Sequence, residues 1–334
     1  MAINVGEVET YGLMIKRVQG NSGRVARGMV KGWLKAHPNW EAADLRAAAA
    51  LAVSQTVADY SDYTASLACD LYDSCMAQEG AKVAYAEPWT GNSDDQIAKA
   101  VRYQMQKALD GDIDAFLDAI DEMTQYYVRL AANNTTIQNV ERDNNARIQG
   151  AMDSVQGNRR YGNLDMPTIY GKPGQVRRSQ PRRRTNRAHI RRVGDIAYSR
   201  VPTGLETCSY CMMLASRGFV YHSAESAGHA DHRGCDCMIV PGRYGMSTID
   251  GIDLDAQYDC WRELEAIEAY AKKNPDGLDK AELEKRKKEI VGRYDKLTLA
   301  TEAGEVRKHL SQGVVEWYEP RERMAKNYSP DNND

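Results

Sequence analysis

From Leu45 onward, apolar or small residues return every three or four positions, at Ala49, Ala52, Thr56, Tyr60, Tyr63, Leu67 and Leu71. That spacing keeps one stripe on one face of a helix for seven turns. The stripe continues at four-residue steps through Ile97, Val101 and Met105, behind a Ser93…Gln96 pair with capping-box spacing. Asp110-Gly111 interrupts it, and it resumes through Ile113, Phe116, Leu117, Ile120, Thr124, Tyr127 and Leu130. Polar residues fill the other faces. Residues 1–157 are therefore expected to form a helical bundle or an extended helical arm, and the stripe is read as core without chemistry.

The periodicity then stops. Pro167, Pro173 and Pro181, with Gly162, Gly171 and Gly174, argue against regular structure up to about Pro181. Residues 158–193 read as a linker. A module over 194–245 follows: a short strand from Asp195 to Val201, a helix within Gly204 to Arg217 ended by Gly218, and strands at Phe219–Tyr221 and Cys237–Val240 closed by Pro241-Gly242. The span 246–320 returns to helix, beginning near Leu254 with Trp261, Leu264 and Ile267, broken at Asn274-Pro-Asp-Gly, and highly charged from Asp279 to about Leu299. Residues 321–334 read as a polar tail. The fold class predicted is mainly α, with a small α+β zinc-knuckle-like module and C-terminal helices. No repeat of fixed period occurs.

Composition adds limits. A chain of 334 residues has room for about two domains, and 42% hydrophobic with 27% charged residues is ordinary globular usage. Only 2 Phe stand against 19 Tyr, so the aromatic mass is amphipathic. The start, Met1 to Val8, lacks a signal-peptide pattern, and no run approaches the roughly 20 apolar residues of a membrane helix. The expectation is a soluble protein made in the cytoplasm, with no membrane partner. A mean hydropathy of −0.62 points to an extended, surface-rich segment.

The net charge of −3 conceals that segment. From Arg159 to Arg200 twelve cations, eleven of them arginine, face two acids, a local charge of +10 that leaves −13 on the rest. Arginine grips phosphate as a bidentate fork, which lysine cannot do. Arg177, Arg178, Arg182, Arg183, Arg184, Arg187, Arg191 and Arg192 are the candidate contacts to double-stranded DNA, non-specific and salt-dependent. A contact to an acidic protein surface and a plain solvated linker are the other readings.

Four of seven cysteines fall within 30 residues, as Cys208-x2-Cys211 and His232-x2-Cys235-x-Cys237. Two thiolates on one tight turn can reach one ion, and a second group from a distant loop completes a tetrahedron of soft ligands, as zinc prefers. Five candidates exceed four positions. Cys208, Cys211, His232 and Cys235 are the first choice, with Cys237 the replacement and His229 a spare. Disulfides and metal-free buried thiols are the alternatives. Four protein ligands leave no open position for water, so the zinc would be structural.

Catalytic patterns are incomplete. No His-Glu-x-x-His occurs, Thr207 precedes Cys208 where a deaminase needs Pro, and a His-Asn-His nuclease needs a further histidine between His232 and His309. No Walker-type loop appears. His222, Ser223 and Ser226 are sequence neighbours only, Cys69 and Cys75 lie on the core stripe, and His189 sits in the basic run. The chain is read as a non-enzyme.

The stretch Arg200 to Gly242, with Gly218, Val220, Tyr221, His232, Cys235, Cys237 and Pro241, resembles the Mu F-like head-morphogenesis or minor capsid proteins of tailed bacteriophages. The resemblance implies a low-copy protein of the phage head interior, made in the host cytoplasm. It implies association with the portal and with capsid or scaffold proteins, and a part in head assembly or in DNA packaging and ejection. A zinc-containing nuclease or nucleic-acid-processing enzyme, and a DNA-binding regulator with structural zinc, are the competing readings.

Overall fold

A computed structural model describes residues 2–157, 193–203, 208–227, 237–274 and 279–294, with side chains as far as Ala146 in the first span. Four long elements come first, after a short strand β1 (Ala2–Ile3): α1 (Val5–Ala36), α2 (Ala42–Gln78), α3 (Asp94–Leu109) and α4 (Ile113–Gly157). Beyond residue 192 come β2 (Ile196–Val201), α5 (Ser209–Ala215), α6 (Ala224–Ala227), β3 (Met238–Arg243), β4 (Thr248–Ile249), α7 (Leu254–Lys273) and α8 (Lys280–Val291). The described chain is mainly helical with a small amount of sheet.

Local chemistry sets the helix ends. The Asn4 side chain accepts from Gly6 N at 2.9 Å and opens α1. Glu41 N donates to Asp44 Oδ2 at 3.2 Å at the start of α2, and Asp112 Oδ1 accepts from Ala115 N at the start of α4. Ser93 does precede α3, but its side chain makes no capping bond; Asp94 and Asp95 in the first turn complement the helix dipole instead. Gly111, at φ +84°, supplies the left-handed residue that the Asp110-Gly111 break requires.

The stripe feeds two cores. Around one, Ala26 and Val30 of α1 meet Leu45 to Val57 of α2, Ile97, Val101 and Met105 of α3, and Phe116 to Val128 of α4. Around the other, Val8 and Ile15 of α1, Leu67 to Met76 of α2 and Ala132 to Val140 of α4 meet the sheet, through Ile196, Tyr198, Phe219, Tyr221, Met238 and Val240. Helix α2 is buried on more than one face because α1, α3, α4 and β3 all pack against it.

β2 and β3 pair antiparallel in the register Ile196↔Arg243 to Val201↔Met238. β3 runs through Pro241-Gly242, where the sequence suggested a stop. The register explains this. Tyr198, opposite Pro241, turns its N–H and C=O toward Tyr221 (2.7 and 3.2 Å), so no ladder bond falls on the proline nitrogen. The expected Phe219–Tyr221 strand is reduced to that single bridge. α5 falls within the expected Gly204–Arg217 range, as Ser209–Ala215, and α8 ends at Val291 rather than near Leu299. β1 pairs parallel with β4, Ala2↔Thr248 and Ile3↔Ile249.

Polar side chains fix the parts to one another. Asn144 of α4 both donates to Ile196 O (2.8 Å) and accepts from Ile196 N (3.2 Å), imitating a strand partner for β2. Glu141 accepts from Ala224 N at the start of α6. The buried Glu79 carboxylate accepts from Ser247 Oγ at 2.6 Å, with Arg243 Nε 3.7 Å away. The extended segment 81–93 is laid along α4 by side chains of that helix. Thr135 accepts from Trp89 N, Asn139 pairs with both N and O of Glu87, and Arg142 donates to the carbonyls of Ala84 and Tyr85. Arg142 also pairs with Asp143, whose other oxygen accepts from the buried Tyr72 hydroxyl at 2.7 Å.

α1 packs tightly on α4 at Gly23, where a Cβ would sit 2.9 Å from Asp121 O and collide with the Asp121 carboxylate. Gly23→Ala is expected to destabilise the fold by about 1–3 kcal/mol, the range for overpacking a tight contact, read as a lower urea midpoint. An unchanged midpoint would show that the crossing yields freely.

Candidate functional site

The cysteine module is built on the first turn of α5. Cys208 is its N-cap in extended backbone (φ −73°, ψ 159°), and its Sγ accepts from Cys211 N at 3.3 Å. The C-x2-C spacing therefore turns both residues to the same helix end, where an amide already supports the sulfur. Cys237 comes from the residue before β3, and the three cysteines pack against one another, with Cys211 and Cys237 buried and Cys208 half-buried. The structure thus brings together three of the five candidate ligands. His232 and Cys235 lie outside the described residues, as do the spare His229 and the arm residues Arg177, Arg178, Arg182, Arg183, Arg184, Arg187, Arg191 and Arg192.

Among the described residues, no group of three or more His, Cys, Asp or Glu side chains is arranged to hold a metal ion. No disulfide occurs among the six described cysteines. Cys208, Cys211 and Cys237 pack together without the arrangement of a metal site, and the candidates His232 and Cys235 fall in the segment 228–236, outside the described residues.

The cluster is surrounded by packed elements. α5 packs on β2 and on α7, and Met212 enters a small core with Cys260, Leu264, Ile290 and Val291. Ser209 Oγ donates to Glu268 Oε2 at 2.7 Å, and Lys287 Nζ lies 3.0 Å from Glu268 Oε1, so α5, α7 and α8 share one polar tie. Arg200, counted in the basic run, is not on the surface: it is fully buried in β2, opposite Ile239. Arg200 is therefore not part of an exposed cationic arm.

Other sequence candidates resolve into structural parts. Ser226 Oγ accepts from His222 N and Ser223 N and donates to Ser223 O, which is turn chemistry at the start of α6. Cys75 is fully buried and Cys69 nearly so. Burial, then Asp73 and Asp70, pushes the Cys69 thiol up to about 11. Burial, then Glu263, does the same at Cys260, also to about 11. Burial drives Cys75 upward as well. A raised thiol pKa leaves little thiolate near neutrality, so Cys69, Cys75 and Cys260 are expected to resist iodoacetamide in the native protein at pH 8. Peptide mass spectrometry would read this, and prompt labelling of Cys260 would contradict the packing described.

The family model described as "VG15 protein" matches residues 9–149 and 172–264, well over half of the chain. The Gene 15 protein of Mycobacterium phage D29 is 36% identical over 74 residues, covering 13% of this chain. The match takes in 27% of that relative's length, so the chain covers about a quarter of it. No solved structure matches.

Proposed function

The chain belongs to the VG15 protein family, which is phage-related, and from that premise we propose that it is a minor capsid protein of the phage head acting at the portal in head assembly and DNA packaging or ejection. The observation that carries the phage setting is the extent of the family match, which takes in both the helical body and the cysteine module. The step to a head protein of Mu F-like kind is supported by the pattern from Arg200 to Gly242. Helical surfaces would meet portal and capsid or scaffold proteins, and the arginine-rich segment would meet double-stranded DNA.

In this reading the cysteine module holds a structural zinc. Cys208, Cys211 and Cys237 would supply sulfur, and His232 or Cys235 the remaining position. The packing of Cys237 against Cys208 and Cys211 is what supports its inclusion in this set. A bound zinc would supply cross-linking of α5 to the start of β3, in a module whose own core is small. The role is structural rather than catalytic.

Particles of the phage that encodes the chain should contain it at low copy, measured by quantitative mass spectrometry of purified heads; its absence from heads would overturn the proposal. Purified protein should carry about one zinc by elemental analysis, and less than about 0.2 equivalents would overturn the metal assignment. Neutralising Arg182, Arg183 and Arg184 together should weaken duplex binding and lower the salt slope by about 0.9 per lost contact. Metal-dependent plasmid cleavage abolished by His232→Ala would transfer the chain to the nuclease reading.

A further inference from the structure

Helix α1 carries a second cationic surface, independent of the arginine-rich segment. Between Thr10 and Trp40 the chain has six cations, Lys16, Arg17, Arg24, Arg27, Lys31 and Lys35, and no Asp or Glu. At about 100° per residue, Arg17, Arg24, Lys31 and Lys35 fall within a sector of about 40°, in a line about 27 Å long. Ile15, Ser22, Gly23, Ala26 and Val30 form the buried face on the other side. Arg24, Lys31 and Lys35 are exposed. Arg27, which flanks the row, is ion-paired with Asp118 of α4 at 2.9 Å.

A row of cations is most often just a solvated helix face. Two features separate this one. The body outside the arginine-rich segment carries a net −13, so a stretch of 31 residues without an acid runs against its composition. The glycines along it are the other feature. Gly20, Gly28 and Gly32 have ordinary helical backbone, and a Cβ at any of them would meet nothing within 4 Å. Neither conformation nor internal packing calls for glycine there, in contrast to Gly23, and glycine is the poorest helix former after proline. A bare backbone flanked by cations fits close approach of an extended polyanion.

We propose that the outer face of α1 is a sequence-independent docking surface for the phosphate backbone of duplex DNA. Charge complementarity commits the face to this occupant. A line of about 27 Å spans roughly eight base pairs at 3.4 Å each, and side chains as long as Arg and Lys reach phosphates on either side of the groove they border. The surface lies on a folded helix, so it fixes the orientation of the body on the duplex as well as adding affinity.

The test uses the full chain and a 30-base-pair duplex of arbitrary sequence, read by fluorescence anisotropy from low to moderate salt. The variant Arg24→Gln/Lys31→Gln/Lys35→Gln removes side chains on the solvent face, and matching circular dichroism and thermal midpoint establish that it is folded. The expected result is affinity lower by about tenfold or more at low salt, and a salt slope reduced by about 2.7. The same change should appear in the background of the Arg182/Arg183/Arg184 variant, because the two surfaces act separately. Gly28→Ala/Gly32→Ala should raise the thermal midpoint while lowering affinity. An unchanged slope in the triple variant, with wild-type protein binding the duplex, overturns the α1 surface and leaves the arginine-rich segment standing. Unchanged duplex affinity with weakened binding to poly-glutamate overturns it in favour of an acidic protein partner. No duplex binding by wild-type protein overturns both surfaces.

Discussion

The packing of the sheet onto α1, α2 and α4 is the interaction on which the rest depends. A two-stranded ladder is marginal by itself in water. Here every residue of β2 is buried, and its apolar side chains complete a core whose other half is helical. At roughly 25 cal/mol per Å² of apolar surface, such burial outweighs any single polar contact at the junction. The polar contacts decide position instead. Asn144 against Ile196 and Glu79 against Ser247 have one geometry each, and they set where the strand lies on the helices. The cysteine cluster inherits its geometry from this docking, since Cys237 enters β3 and α5 packs on β2.

Much of the architecture was legible because it rests on periodicity. The stripe is buried at Ala49, Ala52, Thr56, Leu67 and Leu71 and half-buried at Tyr60 and Tyr63, and the breaks at Asp110-Gly111 and Gly218 fall where left-handed glycines stand. The extended segment 81–93 was not legible, because it is held by side chain to backbone bonds from Thr135, Asn139 and Arg142 that leave no pattern along the segment itself. Pro241 misled for a similar reason. Its tolerance depends on which way Tyr198 points across the ladder, and a single strand does not carry that information.

The candidate site divides the same way. Spacing alone pointed to Cys208 and Cys211, because one helical turn brings them together. Whether Cys237 joins them depends on how β3 starts, and that is tertiary information. The cationic face of α1 was hidden by averaging. Taking the +10 run out of −3 still left a remainder that was itself mixed; the acid-free stretch Thr10–Trp40 lies within it, and the helix axis is what gathers its cations on one face opposite the buried one. Arg200 shows the reverse error: counted with the exposed run by sequence, it belongs to the interior.

β1 pairs with β4, and α4 is bonded to β2 and α6, so residues before 158 and residues after 192 belong to one packed body. Covalent continuity between them is thus not what holds them in place. A chain nicked within 158–192 would yield two fragments that co-purify and melt together, as a split protein does.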